Sequence, residues 1–198
     1  AYNLDVDGKS PSSTIYGQYR TLVLGDENAD FTFGSITSSD FWSISVERSR
    51  YKESIMPGST TLLLSGSDGV ISLTDNSQVA SSVVFNDAGR VFQLVSGSAG
   101  TVVTSKQANG YSIDSGSYGL FLPDIATYIL NPRALSNTFA NGGIELDATT
   151  TSALTIATNP NPGIIFKAIS SSDAGSFTAN SEETITSDFV FVRPRSSQ

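Results

Sequence analysis

The chain lacks histidine and cysteine altogether, and it has a single Trp and a single Met among 198 residues. Without His or Cys it cannot build a serine–histidine triad, a thiol nucleophile or a Cys/His zinc centre. Stability must also come from packing or from assembly, because no disulfide can form. What the chain has instead is Ser and Thr, about a quarter of all residues, which suits short β-strands and turns. This composition favours a structural or binding role, and we expect neither enzyme activity nor a cofactor.

Charge is scarce as well. Only 15% of the residues are charged, and the net charge is −8 with a sequence pI near 4.3. An acidic chain is repelled by nucleic-acid backbones and anionic membrane surfaces, so neither is expected as a partner. No window approaches the roughly 18 apolar residues of a membrane-spanning helix, and no secretory signal begins the sequence. Ala1 is the type of residue left after removal of an initiator Met, which predicts a complete polypeptide made in the cytoplasm.

Short apolar runs separated by turn-forming residues predict an all-β protein, an antiparallel sandwich or barrel. Residues 42–46 alternate between apolar and polar, as a half-buried strand does. Further strands follow at about ten-residue spacing, with Gly, Ser, Asn and Asp between them. These predicted strands are residues 61–64, 70–73, 83–85, 91–95, 101–104, 111–113, 119–122, 128–130 and 177–179.

Two short helices are expected beside these strands. Pro132 follows Asn131, and Pro at an early helical position favours a single turn over residues 131–135. A second helix is predicted over residues 162–169, where Ile165, Phe166 and Ile169 could share one face. Both are too short to change the fold class.

The last predicted strand, residues 188–193, is apolar on both faces. Phe189 and Phe191 alternate there with Val190 and Val192. Since neither face suits contact with water, we predict that this strand lies at the centre of a sheet or at an interface.

The first 28 residues differ from the rest. They are polar, rich in turn-forming residues and weakly periodic, with residues 22–24 as the only strand candidate. We predict an extended N-terminal arm over residues 1–28, which orders on a neighbouring chain or stays poorly ordered. One β-rich domain would follow over residues 29–198, either undivided or as two packed halves with a break near residues 105–110.

Three acidic clusters are candidates for chemistry, and each has a simpler explanation. Residues 5–8 begin like a calcium loop, but the glycine comes too early for an EF-hand, so a turn is favoured. The oxygen-rich segment 26–30 could bind a hard cation, although a solvated loop explains it as well. Glu182 or Glu183 could supply one half of a glycosidase carboxylate pair, with Asp173 or Asp188 as the other half. Adjacent strand residues point to opposite faces, however, so Glu182 and Glu183 cannot both reach one substrate. We therefore predict no metal site and no catalytic site.

Arg48, Arg50 and Lys52 form a cationic cluster on this acidic chain. Along an extended segment the three side chains would share one face. Such a row is suited to docking an acidic neighbour, including a second copy, while a solvated strand edge is the simpler alternative. The predicted assembly contacts are Arg48, Arg50, Tyr51, Lys52, Phe189, Phe191 and Arg193.

Three parts of the sequence are distinctive when taken together. They are ISVERSRYKESIMPGSTTLLLS, then LVSGSAGT with NGYSIDSGSYGLFLPDIATYILNPRAL, and finally IIFKAISSSDAGSFTANSEETITSDFVFVRPR. The most specific pieces are SYGLFLPDI at residues 117–125 and SEE at residues 181–183. These segments, covering roughly residues 42–195, resemble virion structural proteins of large contractile-tailed bacteriophages, found in tail or baseplate components.

The resemblance implies a non-enzymatic structural subunit of the virion, in the tail, the baseplate or a fibre-attachment region. Its expected partners are other virion proteins and copies of itself, and it would act by oligomeric assembly. Two alternatives remain open at this point. A receptor- or carbohydrate-binding module of a tail fibre would show exposed aromatic side chains around a groove, and a capsid decoration protein would differ only in its place in the particle.

Overall fold

The computed structural model describes most of the chain, and three α-helices lie in the part it describes. The described residues are 11–34, 36–38, 41–103, 118–146, 161–170 and 176–182. The helices are α1 (Pro11–Leu24), α2 (Pro132–Leu135) and α3 (Asn161–Ser170).

The strands are short, antiparallel and mostly joined into one sheet. They are β1 (Phe31–Phe33), β2 (Ile36–Ser38), β3 (Trp42–Ser45), β4 (Ser54–Ile55), β5 (Thr61–Ser65), β6 (Val70–Asp75), β7 (Val84–Asn86), β8 (Gly89–Ser98), β9 (Thr101–Val102), β10 (Gly119–Leu122), β11 (Thr127–Leu130), β12 (Ser176–Thr178) and β13 (Ser181–Glu182). The main sheet runs β12-β5-β6-β8-β10-β11-β3 and curls into a half-barrel, while β1 with β2 and β4 with β13 form separate pairs. The all-β class predicted from the sequence is confirmed.

Strand β8 organises the sheet because it pairs with four other strands. At Leu94 it has β6 on one edge and β10 on the other, through Asp75 and Gly119 respectively. Gly119 has φ of +153°, and a Cβ at this position would come within 2.1 Å of the Ile129 carbonyl oxygen on β11. Only glycine therefore allows β10 and β11 to approach this closely.

The larger core lies on one face of the main sheet. Its residues alternate along the strands, as the period-two pattern of the sequence predicts. Helix α3 packs over β5 and β12 and adds Ile165 and Ala168, whereas Phe166 is 70% exposed. The three-residue face expected for this helix is therefore wrong at Phe166. Fully buried members of the core include Leu62, Leu64, Leu73, Leu94, Phe121, Tyr128 and Leu130.

The opposite face of β10 and β11 carries a second core, which α1 covers. Val23 of this helix is fully buried, and Tyr16 and Tyr19 pack beside it. The Tyr16 ring lies 5.8 Å from the ring of Phe31, measured between centroids. The extended arm and the strand at residues 22–24 are therefore wrong for residues 11–24. Spacings of three and four residues place Tyr16, Tyr19 and Val23 on one helix face, and packing on this core stabilises the helix.

Most predicted strands and both predicted helices agree with the structure. Residues 119–122 coincide with β10, and β10 ends where Pro123 begins a 3₁₀ turn (Pro123–Ile125). At α2 the Asn131 side chain accepts a hydrogen bond from the Arg133 amide at 3.1 Å, the usual helix N-cap. The predicted strands 111–113 and 188–193 and the predicted break near 105–110 lie outside the described residues.

Candidate functional site

Strands β7 and β8 form a hairpin whose turn is anchored to the second core. The two-residue loop Asp87–Ala88 joins Asn86 to Gly89, which has φ of +102°. The Asn86 side chain accepts a hydrogen bond from the Ala88 amide at 2.9 Å, and Ala88 itself is buried in the second core. The turn is therefore held both by the burial of Ala88 in the second core and by the hydrogen bonds between β7 and β8.

Beyond this turn, β7 exposes an apolar edge to solvent. Phe85 is 69% exposed and Val84 is 60% exposed, and both lie on the strand itself. Val83 and Val79, which precede the strand, are about half-exposed. Among the described strands, β7 has a hydrogen-bonded neighbour, β8, on one edge only. We call these four residues, Val79, Val83, Val84 and Phe85, the β7 edge surface.

Sheet proteins normally protect an exposed edge with charge, proline or a covering segment. The four residues of the β7 edge surface include no charged residue and no proline, and three of them are consecutive. Val84 and Phe85 point to opposite faces of the strand, so both faces are apolar. This arrangement suits the addition of another strand.

A shallow cavity of about 280 Å³ adjoins this edge. Val79 and Val84 line it together with Phe92 and Gln93 of β8. Asn76, which follows β6, accepts through its side chain a hydrogen bond from the Gln93 amide at 2.9 Å. The cavity thus lies between the end of β6 and β7, on the same edge of β8. A side chain from a strand added to β7 could enter it.

On the other edge of β8, Arg90 joins three segments through ion pairs. Its Nη2 atom lies 2.7 Å from Asp124 Oδ1 and 2.6 Å from Glu182 Oε2. The Arg90 amide also donates to Asp124 Oδ2 at 2.7 Å, and Ser54 Oγ donates to Glu182 Oε2 at 2.6 Å. These contacts tie the β7–β8 hairpin to the Pro123–Ile125 turn and to the β4–β13 pair.

The electrostatics of this cluster are those of a structural ion pair. Hydrogen bonds to Glu182 and Asp124 raise the pKa of Arg90 above its usual value. For Glu182 the hydrogen bond from Arg90 lowers the pKa, against the opposing effect of burial. For Asp124 burial favours a higher pKa, but the hydrogen bonds from Arg90 outweigh it and the pKa is lowered. A general acid requires a raised pKa, so Glu182 is not suited to the general-acid half of the glycosidase pair considered from the sequence. Glu183 lies outside the described residues.

The cationic row predicted at Arg48, Arg50 and Lys52 is not extended. Arg48–Arg50 is a 3₁₀ turn, in which residues two apart do not share a face. Arg48 lies over the ring of Tyr51, 4.6 Å from its centroid, and donates to the Tyr51 carbonyl oxygen at 2.7 Å. The expectation of a shared cationic face is therefore wrong, because local contacts bend the backbone here. The assembly role of these four residues stays a prediction, and the other predicted contacts, Phe189, Phe191 and Arg193, lie outside the described residues.

The oxygen-rich segment 26–30 is held by local contacts. Asp26 Oδ1 accepts a hydrogen bond from the Asn28 amide at 2.8 Å, and Asp30 forms an ion pair with Arg20 at 2.6 Å. Across the described residues, no group of three or more His, Cys, Asp or Glu side chains could hold a metal ion. The calcium-like residues 5–8 lie outside the described part.

Four of the tyrosines are distributed between the two cores. Tyr118 and Tyr128 are buried in the larger core, and Tyr16 and Tyr19 pack against the second. No helix in the described part of the chain is long and apolar enough to cross a membrane.

Comparisons with known proteins add no family to this picture. A scan against protein-family models, a search of curated proteins and a search of solved structures each found no match to the chain. Function must therefore be argued from the surface itself, since a fold class alone does not imply one.

Sequence reasoning found the strand at residues 83–85 but missed its importance. The signal was the run Val83-Val84-Phe85, which is uniformly apolar where a half-buried strand would alternate. Such a run is also typical of a fully buried strand. Only the strand order shows that this one lies at an edge.

Proposed function

We propose that this chain is a non-enzymatic structural subunit that assembles by docking its β7 edge surface onto a neighbouring chain. The observation that carries the proposal is the exposure of Val84 and Phe85, 60% and 69%, on a strand paired along one edge. The backbone groups of a free strand edge supply hydrogen bonds to a partner, and the side chains supply apolar burial.

The apolar contribution is substantial but not sufficient alone. Fully burying a Val or Phe side chain is worth about 1.5–3 kcal/mol. Completing the burial of the four half-exposed side chains would thus contribute roughly 3–7 kcal/mol. Association costs about 4–15 kcal/mol in lost translational and rotational freedom. Strand pairing and apolar burial on the partner must therefore supply the remainder, which favours a matched apolar strand over a smooth surface.

The class of particle is the second part of the proposal. The resemblance of residues 42–195 to virion structural proteins of contractile-tailed phages supports a place in the tail, the baseplate or a fibre-attachment region. The absence of His and Cys from the whole chain and the scarcity of charge fit a part that acts through surfaces. Imaging purified virions with a label on this chain tests its location, and a particle that lacks the chain would refute the virion assignment.

The docking role is tested by placing a charge in the edge. Phe85→Asp should weaken self-association, or binding to a second virion protein, by at least tenfold, because it removes apolar burial and would bury a carboxylate. Val103→Asp is the matched control, since Val103 is 48% exposed outside the β7 edge surface. Light scattering after size exclusion gives the mass, and circular dichroism checks the fold. Equal association of both variants and the wild type would show that β7 is not the docking edge.

A further inference from the structure

The β7 edge surface is suited to binding a strand that is apolar on both faces, and residues 188–193 of this chain are such an apolar run in the sequence. We propose that the strand docking on β7 is the apolar segment 188–193 of a second copy of the same chain. The inference rests on the proposed function and names the partner of the same site. It would join copies head to tail, each donating one strand and accepting another.

The first argument is the match between the two surfaces. Val84 and Phe85 expose apolar side chains on opposite faces of β7. In segment 188–193, Phe189 and Phe191 fall on one face of an extended strand and Val190 and Val192 on the other. An occupant with one polar face would leave one face of the new pair mismatched. The 188–193 segment gives each exposed face of β7 an apolar cross-strand neighbour.

The second argument is the place where the described chain stops before this segment. Glu182 contacts the side chain of Arg90, and its strand partner Ser54 belongs to β4, which packs against the Pro123–Ile125 turn. The Arg90 amide points to Asp124, so this turn lies on the β10 edge of β8. The outer edge of β7 lies on the opposite side of that strand.

This placement makes docking within one chain costly. Residues 183–187 connect Glu182 to the segment, so six Cα–Cα steps lead from Glu182 to Asp188 and span at most about 20 Å when fully extended. Crossing β8 and β7 takes about 10 Å at the usual strand spacing, in addition to the length of the Arg90 side chain. Docking within one chain would therefore use most of this reach. A segment from a second copy carries no such restraint.

The third argument is charge. The chain has a net charge of −8, yet the segment ends in Arg193, with Arg195 two residues further. The exposed turn residue Asp87 lies next to β7. A cationic strand end approaching an acidic second copy is favoured electrostatically.

Cysteine cross-linking tests the inference cleanly, because the wild-type chain has no cysteine. One copy carries Val84→Cys, and a second, differently tagged copy carries Phe189→Cys, Val190→Cys or Phe191→Cys. The three donor positions cover the unknown register. The matched control acceptor is Val70→Cys, a 39% exposed valine at the start of β6. Mixed under mild oxidation, at least one donor should form a disulfide heterodimer with Val84→Cys in at least tenfold higher yield than with Val70→Cys.

Two results would overturn the inference. Equal heterodimer yields with Val84→Cys and Val70→Cys would show that segment 188–193 does not dock on β7. A disulfide formed only within one chain carrying both Val84→Cys and Val190→Cys would show that the segment folds back on its own β7. If cross-linking fails while Phe85→Asp still disrupts assembly, another partner occupies the edge and the proposed function stands. If Phe85→Asp also has no effect on assembly, both the proposed function and this inference are refuted.

Discussion

Asp75 provides the sharpest test of how the sheet is held together. It ends β6 with no exposed surface, and both of its side-chain oxygens accept a hydrogen bond from the Gly58 amide at 2.9 Å. Oδ1 also accepts from the Ser77 amide at 3.2 Å. One buried carboxylate thus joins the loop before β5 to the turn after β6.

Replacing Asp75 by Ala should be strongly destabilising. The change leaves the buried Gly58 amide without an acceptor, at a cost of about 1–3 kcal/mol, and removes an ordinary hydrogen bond of about 0.5–1.5 kcal/mol from the part-buried Ser77 amide. The expected loss in the free energy of unfolding is therefore about 2–4 kcal/mol. Asp75→Asn keeps one acceptor oxygen and should lose roughly half as much. Urea unfolding followed by circular dichroism measures both differences from the shift in midpoint at constant slope.

Asp87→Ala is the matched control, because Asp87 is an exposed carboxylate in a turn. Surface changes of this kind usually alter stability by less than about 0.5 kcal/mol. A loss below about 1 kcal/mol for Asp75→Ala would refute the reasoning, since it would mean that the two amides find other acceptors.

The Arg90 cluster yields two further predictions. Arg90→Ala should lower the free energy of unfolding by only about 1–2 kcal/mol, because water screens the attraction between these partly exposed groups. The side chains of Arg90, Asp124 and Glu182 are 24%, 34% and 36% exposed. A double-mutant cycle in urea with Glu182→Gln measures the coupling energy between Arg90 and Glu182, and additive losses would contradict this coupling. Since the pKa values of Asp124 and Glu182 are lowered, their contribution is complete above the unfolded-state values of about 4 and is lost as pH falls through the folded values. Stability measured between pH 6 and pH 2 should fall less steeply in Arg90→Ala than in the wild type, and parallel curves would rule out the ion pairs as the cause.

The strands could be predicted from sequence because their signals are local. Residues 119–122 and 61–64 owe their conformation to alternating or continuous apolar runs between turn residues, and both form strands. Helix α2 could be predicted from the sequence as well, since Asn131 supplies an N-cap and the adjacent Pro132 supplies a fixed φ.

Helix α1 could not be predicted in the same way, because its stabilising contacts are distant in sequence. The rings of Tyr16 and Tyr19 pack on Phe41, which lies outside the helix, at centroid distances of 5.2 and 5.1 Å respectively. The turn at Arg48 was misjudged for a different reason, because the contact that stabilises it is local. The stacking of Arg48 on Tyr51 favours a tight turn, whereas residue spacing alone suggested an extended row.

The candidate site depends on a property that no local pattern contains, namely which strand has an empty neighbour position. An apolar run such as Val83-Val84-Phe85 is equally typical of a strand at the centre of a buried sheet. The structure places them at an edge because, among the described strands, β7 pairs with β8 alone. Strand order is set by the whole chain, so an edge surface is visible only after folding.

The exposed edge is rigidly supported, and this bears on what it can do. Ala88 fixes the hairpin turn in the second core, and two carboxylates hold Arg90 on the far edge of β8. An edge formed by a loose loop would lose conformational freedom when it bound, at a cost of about 1–2 kcal/mol for each residue ordered. Strand β7 is already ordered, so that cost falls mainly on the incoming strand. A preformed acceptor strand lowers the ordering cost of association, so four modest apolar contacts can still support assembly.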